Sequence, residues 1–306
     1  MPFESSGTSD NYYSESTGLS SESGRGGAFR GFAKIEIDRV LGRLDRLLAA
    51  KDYSAAEAHL KFWLGEAGAA GDRAARLTLL NELMGFYRRG GDGTAARQFA
   101  EAALEEYGSD NEFCGTVFFG TTCLNAATVF KAFGAPERAL GLYERCMEIY
   151  RAQLEPDDVR FGGLYNNMGL ALHELGRFSE AREAFEAAIR VQEDGGAATA
   201  LDRAITYLNL CDLAVSIDAA DGEGRDPVGI SGSDPGYSVS DSTAEEIDRL
   251  IEKAYGLIID PEVPRNPYYA FVCEKCAPVF GFYGYFLYKN ELADAAKALD
   301  AQFGAK

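Results

Sequence analysis

Four alanines, Ala56, Ala96, Ala139 and Ala181, lie 40, 43 and 42 residues apart, and each occupies the same place in a recurring block. A period of that length suits a unit of two helices, and such units fold only by stacking on one another. The clearest block is Leu164 to Val191, LYNNMGLALHELGRFSEAREAFEAAIRV. Its first half sets Tyr165, Met168, Gly169 and Leu172 on one helical stripe, and Gly176 supplies the backbone freedom of a tight turn. Its second half presents Ala181, Phe185 and Ala188. Small residues at 169, 181 and 188 let two antiparallel helices approach closely, and the large ones fill the space between them.

The block recurs along the chain. Before it come Cys123, Ala126, Ala127 and Phe130, a turn at Gly134, then Ala139, Tyr143 and Cys146. Earlier still are Leu80, Leu83, Met84 and Tyr87, a turn at Gly91, then Ala96, Ala100 and Ala103. A weaker first copy has Val40, Leu44 and Leu47, a turn at Lys51–Asp52, then Ala56, Leu60 and Trp63. Downstream, Tyr207, Leu210, Cys211 and Ala214 repeat the first helix, with a partner displaced to Ile247, Ile251 and Ala254. A sixth pair is expected from Val279, Phe282, Tyr283 and Phe286, followed by Ala295 and Leu299.

This pattern resembles the tetratricopeptide repeat (TPR). The period near 42 and the linker RAQLEPDDVR at 151–160 resemble the long repeats of kinesin light chains and their bacterial relatives. The resemblance covers residues 35–217 closely and 243–303 loosely. It implies an all-α fold, an α-α superhelix or solenoid of about six helical hairpins over residues 29–306. It also implies a non-catalytic scaffold that binds a protein or peptide segment in its concave groove. Residues 1–28, rich in Ser, Gly and acidic side chains, are expected to be a disordered tail. Residues 218–242, DAADGEGRDPVGISGSDPGYSVSDS, are expected to interrupt the fifth repeat as a disordered insertion.

Composition removes several classes of function. The chain has 306 residues, of which 46% are hydrophobic, so it can bury a core. Lys and Arg total 30 against 48 Asp and Glu, a net charge of −18 that repels a nucleic-acid backbone and steers toward basic partners. The longest apolar stretch, Ala277 to Tyr288, is about 12 residues against the roughly 20 of a membrane span. The opening MPFESSGTSD lacks the basic start and apolar core of a signal peptide, so a cytoplasmic protein is expected.

Candidate binding residues follow from the repeat. Asn125, Asn167 and Asn209 recur at intervals of 42 and 42, with Asn81 and Asn166 one position earlier in their own repeats. By resemblance to peptide-binding TPRs these amides face the groove, where each could pair with a peptide backbone. The other reading is that each bonds to the neighbouring repeat and fixes the stacking. Around them the resemblance places Arg88, Arg89, Thr128, Lys131, Leu170, His173, Glu174 and Asp212. A peptide-sensing regulatory receptor is the alternative within the same class.

No cofactor or metal is expected. Cys273 and Cys276 form a C-x-x-C without the βαβ context of a redox motif, and zinc would need two further ligands. A redox or metal role for that pair is kept as the rival. The aromatic residues of 268–288 exceed what one helix can bury, which leaves a homodimer through the aromatic C-terminal face open.

Overall fold

The computed structural model describes residues 35–110, 112–221 and 239–303; the expected tail at 1–28 and most of the expected insertion lie outside them. Among the described residues twelve α-helices follow one another. They are α1 (Ile37–Ala49), α2 (Tyr53–Ala70), α3 (Arg73–Arg89), α4 (Gly93–Tyr107), α5 (Val117–Ala132) and α6 (Pro136–Gln153). They continue as α7 (Arg160–Glu174), α8 (Phe178–Asp194), α9 (Ala200–Asp221), α10 (Asp241–Ile259), α11 (Pro267–Phe282) and α12 (Phe286–Phe303), with one 3-10 turn at Gly196–Ala198. Successive helices pair as six hairpins, the all-α architecture that the repeat implied.

The starts and stops are chemical. Asp52, Asp72 and Asp92 accept hydrogen bonds from the backbone N–H of Ala55, Ala75 and Ala95 at 3.0–3.1 Å, capping α2, α3 and α4. Thr116 does the same for α5. Between the helices of a hairpin the chain reverses through one left-handed residue: Gly91, Gly134 and Gly176 have φ of 74°, 77° and 71°. Lys51 takes that role in the first hairpin, at φ 55°.

The chain divides into two compact units, Met1–Pro156 and Asp157–Lys306. In the first, α3 packs on α2, on its own partner α4 and on α5. Leu80, Leu83 and Met84 of α3 are fully buried, as are Ala96, Ala100 and Ala103 of α4. In the second unit α9 is the central helix, touching α7, α8, α10 and α11. Gly169 of α7 lies directly over the ring of Phe185 on α8: a Cβ at 169 would stand 2.6 Å from two of its ring carbons. Each large side chain buried this way contributes about 1.5–3 kcal/mol.

Three expectations need correction. The sixth hairpin starts earlier than its sequence pattern suggested. Asn266 caps α11 by accepting from Tyr269 N–H at 2.9 Å, Pro267 takes the first helical position, and Pro278 sits inside the helix. Phe282 and Phe286, assigned to the core stripe, are therefore 44% and 55% exposed, while Tyr269, Cys273, Cys276 and Phe280 are buried. Among the described side chains of α12 the buried positions are Leu292 and Ala296, while Ala295 and Leu299 are half-buried. The insertion is also narrower at its edges, since α9 continues to Asp221 and α10 begins at Asp241.

The aromatic block is largely absorbed by carboxylates on neighbouring helices. Tyr285 donates to Asp248 at 2.6 Å and Tyr288 to Glu252 at 2.9 Å, so α12 is fastened to α10 along a polar seam. Tyr288 also stacks on Tyr255 with ring centroids 3.6 Å apart.

Candidate functional site

The asparagines are buried. Asn81, Asn125, Asn166, Asn167 and Asn209 are 0–4% exposed. In the first unit Asn125 Nδ2 donates to Asn81 Oδ1 at 2.9 Å, and Asn81 Nδ2 donates to Leu77 O and to Thr122 Oγ1. In the second unit Asn209 Nδ2 donates to Asn166 Oδ1, again at 2.9 Å. The same rung thus ties α3 to α5 and α7 to α9, first helix to first helix. Each such bond is worth about 1 kcal/mol net, and more is lost when only one partner is removed. Asn167 Nδ2 is buried with no partner among the described residues.

The other sequence-nominated residues divide by exposure. Arg89, Glu174 and Asp212 are exposed, and Arg88, Leu170 and His173 are half-buried. Thr128 and Lys131 are buried at 4% and 7% exposure. Thr128 uses its hydroxyl on the Asn125 carbonyl, one turn back at 2.7 Å.

In the second unit the structure brings His173 and Asp212 together through Ser216, which the sequence reading did not name. His173 Nε2 lies 2.7 Å from Ser216 Oγ, and that hydroxyl donates to the Asp212 carbonyl at 3.0 Å. A hydroxyl has one proton to give, so with it on the carbonyl His173 is the donor of the pair. Burial lowers the His173 pKa, which favours the neutral ring. The pair therefore lacks the proton flow of a nucleophile and its base, which needs the hydroxyl to donate to the imidazole. The Asp212 carboxylate accepts from Tyr283 Oη at 2.6 Å, joining α9 to the turn after α11.

Glu82 was also missed. It stands 43 residues before Asn125, at the register shared by Asn125, Asn167 and Asn209. The residue as a whole is half-buried, its carboxyl lies at the inner end, and it accepts no hydrogen bond among the described residues. Burial raises its pKa to about 7, helped by the negative charge of Asp45 on α1.

Cys273 and Cys276 lie inside the last hairpin, at 0% and 3% exposure, and burial pushes both thiols up. Protonated thiols are poor nucleophiles and poor metal ligands. Among the described residues no three His, Cys, Asp or Glu side chains group to hold a metal ion. All six cysteines are free, and Cys114 alone is not buried. A thiol reagent such as DTNB is expected to label one cysteine promptly in the native protein and all six in denaturant. Prompt labelling of two or more native thiols would contradict this burial pattern.

Comparison with known proteins agrees with the geometry. The tetratricopeptide repeat family profile matches residues 120–194. A variant of the nearly identical TPR-like repeats of a kinesin light chain from Podosopora anserina superposes with a TM-score of 0.50 at 15% identity, covering 76% of this chain and 97% of that one. BtubC (BKLC) from P. vanneervenii gives 0.47 at 16% identity over 89% and 93% of the two chains. Apo RapI gives 0.46 at 12% identity over 89% and 100%. At 15% identity the first of these likenesses concerns the fold alone. No curated protein matches the chain.

Proposed function

We propose that this helical-repeat protein of TPR type is a non-catalytic scaffold that holds a protein or peptide segment on the first helices of its hairpins. The observation that carries the reading is the division of labour along those helices. In each unit a stripe is spent on packing and on an asparagine rung; in the first Arg89 stays exposed and Arg88 half-exposed, and in the second Glu174 and Asp212 stay exposed and Leu170 and His173 half-exposed. A stiff stack of helices loses little conformational freedom when an extended segment docks, which favours binding without catalysis.

A basic partner suits the net charge of −18, through faster encounter more than through tighter contact. Six free thiols support a reducing, cytoplasmic setting. Among the described residues no helix is long and apolar enough to cross a membrane. A second copy of the chain is the alternative occupant, favoured by Phe282, Phe286 and Leu287, which are 44%, 55% and 82% exposed.

The test is site-specific photo-crosslinking in native extract. A benzophenone side chain at Leu170 on α7 is expected to give a discrete adduct, and the same group at Glu183 on the outer face of α8 is expected to give none. An adduct of twice the chain mass would point to self-association instead. Equal labelling from both positions, or none from Leu170, would sink the groove reading.

A further inference from the structure

Among the described residues, the fifth hairpin lacks the left-handed residue found in the turns of the others. The turn glycines Gly91, Gly134 and Gly176 follow one another at 43 and 42 residues, and the next position in that register is Asp218. Gly284 closes the sixth hairpin at φ 88° and Lys51 the first at φ 55°. Among the described residues of α9 and α10 none is left-handed. The helix instead runs straight through Asp218 to Asp221. The chain then has to cover residues 222–238 before α10 begins, and closure costs more entropy as a connection lengthens.

The Asp218 side chain sits where the two helices must meet. Its carboxylate accepts from the Ser240 backbone N–H at 3.1 and 3.2 Å, from the Ser240 hydroxyl, and from Thr243 Oγ1 at 3.0 Å. Ser240 is the N-cap of α10, and its own Oγ accepts from Thr243 N–H. Three donors from the start of one helix thus converge on one carboxylate of the other. Bonds to an ionised acceptor are among the stronger ones, and a negative charge beside a helix N-terminus is favourable in itself.

We propose that the Asp218 carboxylate is a clasp that replaces the left-handed turn residue in the fifth hairpin, so that this hairpin closes whatever the sequence of residues 222–238. The clasp fixes the start of α10 against α9, and the buried Ile247, Ile251 and Ala254 then fall into register on the α9 face.

Amide hydrogen exchange of the full-length chain, resolved to single residues, tests this. The Ser240 amide is expected to be protected in the wild type and to exchange about tenfold faster or more in Asp218→Ala. A chain in which residues 222–238 are replaced by a Gly/Ser sequence of equal length is expected to keep that protection within about twofold. Thr243→Val removes one donor at nearly constant shape. It is expected to shift Ser240 in the same direction by less, and it serves if Asp218→Ala does not fold. The proposal is overturned if Ser240 is unprotected in the wild type or indifferent to both clasp substitutions. Loss of protection on replacing 222–238 overturns it equally. None of these outcomes depends on what the groove binds.

Discussion

Gly169→Met is expected to destabilise the second unit by about 3 kcal/mol, and Phe185→Ala by about 3–5 kcal/mol, yet the double variant is expected to lose far less than their sum. A Cβ at 169 would already stand 2.6 Å from two carbons of the Phe185 ring, and that ring is fully buried. Methionine adds three more heavy atoms to the clash. Truncating Phe185 alone leaves a cavity of the opposite kind. In the same register the second hairpin pairs a large residue on its first helix, Met84, with a small one on its second, Ala100, and both are fully buried. The chain thus already contains the swapped solution. Combining the two substitutions transplants that arrangement and is expected to leave a deficit of about 1–2 kcal/mol. Urea unfolding of the four chains closes a double-mutant cycle with a coupling of a few kcal/mol. Simple additivity would mean that residues 169 and 185 do not share one space.

That pairing shows why the fold was legible. Wherever a small residue and a large one recurred at fixed spacing, as with Gly169 and Phe185, the period alone located both helices and the turn between them. Gly91, Gly134 and Gly176 marked the reversals because only a left-handed residue makes them so tightly. Legibility failed where aromatic content was taken for a stripe. In the sixth hairpin the start signal is Asn266–Pro267, a cap followed by proline, and the run of Phe and Tyr hid it. Phe282 and Phe286 could pass for core by type, but they fall at the end of α11 and the start of α12, where both are exposed.

The asparagines illustrate a different limit. Their spacing was visible, but an amide that binds a peptide and one that binds the next helix have identical sequence signatures. The bonds from Asn125 to Asn81 and from Asn209 to Asn166 are what the spacing alone could not give. Glu82 escaped for the converse reason. It shares the register of Asn125, Asn167 and Asn209 but not their chemistry, so a search for like residues passed over it.

Glu82 carries the last prediction. In the unfolded chain its carboxyl ionises near 4.5, and in the folded protein burial, with Asp45 adding repulsion, holds the proton until about pH 7. The folded state therefore binds the proton more tightly, so this group costs nothing below pH 4.5. The penalty grows as pH rises from 4.5 to 7 and is complete above 7. The full shift corresponds to about 3 kcal/mol, and relaxation and water access around a residue that is only half-buried as a whole reduce this to about 1–2 kcal/mol. Glu82→Gln, which resembles the protonated form in shape, is expected to stabilise the protein by that amount at pH 8 and to be nearly neutral at pH 4.5. Asp45→Asn is expected to act in the same direction at pH 8 but more weakly, because repulsion is the lesser of the two causes. Urea unfolding at the two pH values measures both. An equal effect of Glu82→Gln at pH 4.5 and pH 8 would show that packing of the side chain, not ionisation in a desolvated position, sets its contribution.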